Sequence, residues 1–350
     1  MFKLLRALLP SSSKTTGTEG PTVLDAPPPA ELLEAGVDPF PLAAHLVRAE
    51  GFPYLDWSAF ANWLETIDSH EAQARAWTSA EVAWLQHLRP VLGEDFSLLR
   101  QGDALLLSSL EPRLAHATLA YMSKTLRRIE HVLAGIAEAP ARGKDILIVF
   151  DDDERYYRYV AHYYPEGSFA GSSGMYIHDG CGHFVTMKTD LRQIEPVIAH
   201  EMTHACLGHL PIPLWLNEGL AVNTEHRLAP GHGTLRSPQE MQEKHLQYWN
   251  ASRIQAFWSG ESFHHSDDGS ELSYDLAQRM VVRFAANWDT FRDFALSAEA
   301  ADSGAAAANR HLKLNLGGAA AAMMGREADD SWTPAPDRWP VAQSWRTPSR

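Results

Sequence analysis

Cysteine is nearly absent: the 350 residues contain two, Cys181 and Cys206. So few thiols exclude a disulfide framework, and both are expected to be free, as suits a cytoplasmic protein. Basic residues are the minority charge, 30 Lys and Arg against 44 Asp and Glu, which gives a formal charge of -14. That balance argues against nucleic acid and anionic membrane as partners, since both select basic patches. No apolar run approaches the roughly 18 residues of a membrane span. The first ten residues begin basic, but Arg6 breaks their apolar stretch and no small-residue cleavage site follows, so a secretory signal is not expected. Cytoplasmic localisation is the resulting expectation.

What the chain does have is core-forming material, 45% hydrophobic and 10% aromatic residues, enough for one large or two modest domains. Residues 1–30, rich in Ser, Thr, Gly and Pro from position 11, read as a disordered leader. Residues 31–94 read as an accessory helical region. There Trp57, Phe60, Trp63, Leu64 and Ile67 recur at helical spacing, and Val82, Leu85, Leu88 and Leu92 repeat it behind a Thr78/Ser79 cap. Aromatic stripes of this kind belong to a core. Residues 96–100 and 104–109 flank Gln101-Gly102-Asp103 as a hairpin, a helix is predicted over 112–137, and the unbroken run 145–150 predicts a strand buried on both faces.

Acids 151–154 then mark a helix N-terminus, with the helix over 156–164. Residues 175–178 and 183–187 flank Asp179-Gly180-Cys181-Gly182 as a second hairpin. It leads into a helix with Pro196 in its first turn. His178, Cys181 and His183 have the composition of an additional metal site, although Cys181 is placed at a turn tip and the two His point into a cleft. Further on, helices are predicted over 237–249, from a Ser270 cap through the stripe Leu272, Leu276, Met280 and Phe284, over 289–298 and over 305–324. A short irregular stretch covers 254–263, a polar loop 264–269 and an irregular tail 326–350.

The chemistry-bearing stretch is His200-Glu201-Met202-Thr203-His204. On a helix, i and i+4 lie one above the other, so both imidazoles can address one metal ion while Glu201 sits beside it. A zinc ion held by two His and a Glu keeps a fourth position for water, which it acidifies to a pKa of roughly 7, and Glu201 is placed to act as general base.

Together with Trp215-Leu216-Asn217-Glu218-Gly219-Leu220-Ala221 downstream, HEMTH resembles the gluzincin metallopeptidases, the thermolysin and aminopeptidase N families and their peptidase MA-like relatives. The resemblance implies an α+β fold, a small mixed sheet packed on a helical zincin-type metal-binding core over 95–325 with an N-terminal helical extension. It also implies one zinc per chain bound by His200, His204 and Glu218, and a peptide or protein substrate. The metzincin third ligand would fall at Leu210, with His209 one residue out of register, which leaves Glu218. Pro211 and Pro213 stop the first helix so the chain can reverse, and Gly219 and Ala221 let the second helix approach closely. In gluzincins the strand before the metal helix forms the cleft edge, a role open to either strand of the second hairpin. Tyr274 resembles the downstream tyrosine that stabilises the oxyanion; otherwise it packs at the border of its helix, and His178, His183 or His264 would take that role. Glu225, two turns beyond Glu218 on the same face, is the candidate carboxylate for a ligand imidazole. Gly174-Met175-Tyr176 lacks the acid of the aminopeptidase motif, which favours endopeptidase action. The rival readings are a gluzincin-fold binding protein without activity and a zinc hydrolase of a non-peptide substrate.

Overall fold

Every residue of Asp145–Phe150 is buried, because this strand lies at the centre of a sheet covered on both faces. The computed structural model describes residues 20–140, 143–164, 174–177, 179–189, 191–230, 236–327 and 329–339. In chain order its strands are β1 (Thr22–Val23), β2 (Leu46–Ala49), β3 (Phe52–Leu55), β4 (Ser97–Gln101), β5 (Ala104–Ser108), β6 (Asp145–Phe150), β7 (Gly174–Ile177) and β8 (His183–Met187). Six of them form a mixed sheet in the order β1-β4-β5-β6-β8-β7, and β2 pairs with β3 separately. The inner strands β5, β6 and β8 run parallel, while β7 is antiparallel to β8 and forms one edge.

Because side chains alternate across a strand, neighbouring leucines enter different cores. Leu99, Leu106, Leu147, Val149 and Phe184 pack on one face, against helices α3 (Pro112–Val132), α5 (Leu191–Leu207), α6 (Leu214–Leu228) and α9 (Asp268–Phe284). Leu98, Leu105, Leu107, Ile146, Ile148, Phe150 and Val185 pack on the other, against α1 (Trp57–Leu64), α2 (His70–Leu92), α4 (Asp153–Tyr163) and the β2–β3 hairpin. The chain is therefore an α+β protein with helices on both faces of the sheet. Helices α7 (Pro238–Tyr248), α8 (Arg253–Ser259) and α10 (Trp288–Ser297) complete the first face.

Several expectations need correction. Within 31–94 the α-helices begin only at Trp57, after a 3₁₀ turn at Leu42–His45 and the β2–β3 hairpin, and the segment packs on one sheet face. Phe52 and Tyr54 are buried in its hairpin, so the short β2–β3 pair is held by packing that no helical spacing reveals. The supposed leader contributes β1, whose two residues pair with β4; positions 1–19 lie outside the described residues. Ser69, not Thr78 or Ser79, caps α2, because the helix begins a full two turns earlier. Pro196 falls inside α5 rather than in its first turn, since that helix starts at Leu191. Asp267 caps α9 in place of Ser270, and residues 254–263 form α8 and a 3₁₀ turn instead of an irregular stretch. The helix expected over 305–324 is interrupted where Lys313 adopts a left-handed φ of 57°, after which Asn315 caps Leu316–Met323. The tail is anchored at least as far as Trp332, which is buried and accepts a hydrogen bond from Trp258 Nε1 through its carbonyl.

Other readings match. Both hairpins form, Asp152 caps α4, and the tryptophan stripe of α1 lies in or against the core. Cys181 and Cys206 are free and buried in the two different cores, with the sheet between them. Among the described residues no helix is long and apolar enough to cross a membrane.

Gly219 sets the approach of α6 to α9. A Cβ there would lie 2.7 Å from the Ala277 carbonyl oxygen and 2.8 Å from Val281 Cγ2. In an exposed helix Gly→Ala would gain about 1 kcal/mol, but overpacking against backbone costs typically 1–3 kcal/mol. Gly219→Ala is therefore expected to lower stability by on the order of 1 kcal/mol, read as a reduced unfolding midpoint; a midpoint at or above wild type would contradict this close packing.

Candidate metal centre

Helix α5 turns Ile194, Ile198, Ala199, Met202, Cys206 and Leu207 into the core, which leaves His200 and His204 on the face turned towards α6. Their rings are 4.8 Å apart. The segment after Leu207 carries Pro211 and Pro213, and Pro213 is the N-cap of α6, so the chain reverses and brings Glu218 back opposite the imidazoles. Nε2 of His200 lies 3.3 Å and Nε2 of His204 3.5 Å from Oε2 of Glu218, and the three donor atoms all fall within 4.8 Å of one another.

Those separations suit a metal better than they suit hydrogen bonds. A tetrahedral ion with N and O bonds of about 2.0–2.2 Å sets its ligand atoms about 3.3–3.6 Å apart. Oε2 of Glu218 is buried with no hydrogen-bond partner, a costly condition for a carboxylate unless a cation takes the lone pair. The far nitrogens of both rings are already committed. His200 Nδ1 lies 3.1 Å from Glu225 Oε2, and His204 Nδ1 lies 2.6 Å from Asn217 Oδ1. Each acceptor selects the tautomer with its proton on Nδ1, which leaves both Nε2 lone pairs facing Glu218.

The electrostatics agree. Burial disfavours a charged imidazole, yet the neighbouring Glu218, Glu225 and Glu201 carboxylates outweigh it at His200 and raise that proton affinity well above the usual range. His204 is raised too, against its own burial, by Glu218. Burial pushes Glu218 up, but the two imidazoles prevail and hold its carboxyl well below the ordinary carboxylate range. A proton and a metal compete for the same nitrogen lone pairs in such a site.

Glu201 is half-buried beside this group, and its carboxylate accepts the Tyr176 backbone N–H of β7. Burial raises its proton affinity, partly offset by the two imidazoles. Tyr274, from the first turns of α9, sets its ring 6.5 Å from that of His200 and packs edge-on against Phe263 at 5.1 Å. Burial raises its phenol well above the usual range, and the Glu218 and Glu201 carboxylates add to the rise, so the hydroxyl lies within their field. His264 also feels Glu218, although burial lowers its proton affinity overall.

The structure thus brings together His200, Glu201, His204, Glu218, Glu225 and Tyr274. Among the described residues, Cys181 and His183 join no second group of metal-ligating side chains. His183 is buried, with Nδ1 donating to the Cys181 carbonyl at 2.7 Å and Nε2 accepting from Tyr159 Oη at 2.8 Å, so it does not face a cleft. Cys181 lies in the turn between β7 and β8 as expected, but it is buried there, and His178 lies outside the described residues. Two participants were missed. Asn217 could have been found from its place beside Glu218, because a ligand imidazole needs an acceptor for its second N–H. The Tyr176 contribution is a main-chain amide and leaves no mark in residue type.

Of the two candidate cleft strands, β7 is the edge and β8 is internal, paired on both sides. The chain matches no known protein family and no curated protein.

The burial of His183 has a consequence for acid stability. Burial lowers its pKa to about 4, below the ordinary 6.5, so acid protonates the unfolded chain first. Its contribution is complete above about pH 6.5 and is lost as the pH falls towards about 4, with a slope near 1.4 kcal/mol per pH unit and a total of roughly 3 kcal/mol. Unfolding free energies between pH 7 and pH 4 are expected to fall less steeply in His183→Gln than in wild type. Parallel profiles would show that His183 does not titrate in this way.

Proposed function

We propose that this chain is a zinc-dependent hydrolase acting as a metallopeptidase, with a zincin-type core formed by β7, β8, α5 and α6. The observation that carries the reading is the desolvated, unpartnered Oε2 of Glu218 facing two imidazoles whose Nδ1 atoms are already engaged, with the Glu201 carboxylate beside them. His200, His204 and Glu218 would hold the ion. Zinc, when bound, acidifies water and polarises a carbonyl.

The remaining work falls to the protein's own groups. Glu201, made more basic by burial, takes a proton from the attacking water at its carboxylate and returns it to the leaving nitrogen. The Tyr176 amide orients that carboxylate, and Glu225 and Asn217 hold the imidazoles. Tyr274 donates its phenol proton in a hydrogen bond to the carbonyl oxygen as charge develops there. A peptide substrate is favoured over another acyl compound by β7, a sheet edge beside the site that can pair with an extended backbone.

The test is zinc analysis of purified protein, followed by digestion of a complex peptide mixture. Wild type is expected to carry one zinc per chain, and Glu218→Ala to lose it under mild chelation. Glu201→Gln should retain zinc while turnover falls by about 10²–10⁴, the usual scale of proton-transfer help. Undiminished turnover in Glu201→Gln, or stoichiometric zinc in Glu218→Ala, would overturn the reading. Tyr274→Phe is expected to cost about 10²–10³ in turnover, the scale of one oxyanion donor, with zinc content and substrate affinity little changed. If turnover stays at the wild-type level, the tyrosine serves packing alone.

A further inference from the structure

A second feature lies where α2, the start of β6 and the C-terminal end of α5 meet. A cavity of about 90 Å³ is lined there by Glu81 and Trp77 of α2, Lys144 and Asp145 at the head of β6, Tyr176 of β7, Phe184 of β8 and Ala205 of α5. Glu81 is 2% exposed. Its Oε1 accepts from Trp77 Nε1 at 2.9 Å, from the Lys144 amide at 3.3 Å and from Cys181 Sγ at 3.5 Å, whereas Oε2 is buried with no partner. Asp145 is also buried, and the one lysine at the cavity directs its ammonium to Asp103 at 2.5 Å. Among the described residues, two buried carboxyls thus share a cavity with no cation bonded to either.

We propose that this cavity is a binding site for an alkylammonium group, with Glu81 Oε2 as its principal acceptor and Trp77, Tyr176 and Phe184 as aromatic walls. A small organic cation fits this lining better than a metal ion does. Two carboxyls are too few ligands to enclose a hard divalent cation, which takes six or more oxygens. Aromatic faces, by contrast, attract an ammonium and its alkyl stem together. Burial pushes the Glu81 and Asp145 carboxyls each up to about 7, so a cation in the cavity relieves both. Tyr176 links the cavity to the metal centre: its ring lines the first while its backbone amide holds Glu201 of the second. The ammonium can come from a free amine or from a lysine side chain of a peptide lying along β7.

Titration calorimetry with n-butylammonium and with neutral 1-butanol tests the site. Metal-free and zinc-loaded protein are used in parallel, so the result does not depend on hydrolytic activity. Wild type is expected to bind butylammonium and to bind 1-butanol at least tenfold more weakly. Glu81→Gln keeps the size of the side chain and is expected to lose at least tenfold in butylammonium affinity at an unchanged unfolding midpoint. Asp145→Asn is expected to weaken binding in the same direction and serves if the Glu81 variant does not fold. A capped Ala-Lys-Ala peptide that binds more tightly than butylammonium identifies a peptide side chain as the ligand, and weaker binding identifies a free amine. No heat with butylammonium, equal affinity for 1-butanol, or unaltered binding in both variants overturns the proposal.

Discussion

One desolvated oxygen organises this molecule. Glu218 Oε2 sits in the interior with two imidazole nitrogens 3.3 and 3.5 Å away and no hydrogen-bond donor of its own. An arrangement so costly persists only if the surrounding structure enforces it. Here the enforcement comes from the reversal after α5, the proline-started α6 and the contact of Gly219 with the backbone of α9. Asn223 adds a clamp on the same contact, with Nδ2 donating to the Gly219 carbonyl at 2.7 Å and to the Gln278 carbonyl at 3.1 Å. The same packing sets the Tyr274 ring of α9 6.5 Å from that of His200.

The sheet supplies the other fixed wall. β5, β6 and β8 are covered on both faces and buried along almost their whole length, and they hold β7 as an edge beside α5. The contact between the Tyr176 amide and Glu201 ties that edge to α5, the helix that carries His200 and His204. The N-terminal layer matters here as well. Its α2 buttresses the far face of the sheet and places Glu81 against the loop that precedes β8. What reads along the chain as a separate region is in the fold a structural support for the edge of the site.

Much of this was legible beforehand, for identifiable reasons. The unbroken run of β6, the turn residues of both hairpins and the stripes of α3 and α9 are local patterns whose period is dictated by backbone geometry. His200 and His204 could be paired from spacing alone, since i and i+4 share a helical face. Glu225 followed from the same rule applied to α6, and it lies 3.1 Å from His200 Nδ1. The misreadings have physical causes of their own. The β2–β3 hairpin is held by Phe52 and Tyr54 packing against distant aromatics such as Phe150 and Tyr159, and no local period encodes that. Strand alternation gives the face of β8 on which His183 lies but not what covers that face; Trp84 and Tyr159 cover it.

By itself the sequence determined which residues share a helical face, which strands are buried on both sides and where the chain must turn, because those follow from repeat lengths of two and 3.6 residues. It could also name the donor atoms of the candidate centre, since their chemistry travels with residue type. Only the tertiary structure decided that β7 rather than β8 is the free edge, that Asn217 holds His204, and that Cys181 and Cys206 are divided by the sheet. Each of these depends on contacts between segments far apart in sequence or on backbone groups that every residue carries. The same holds for the cavity beside Glu81, whose walls come from α2, β6, β7, β8 and α5 and converge only when the two layers close on the sheet.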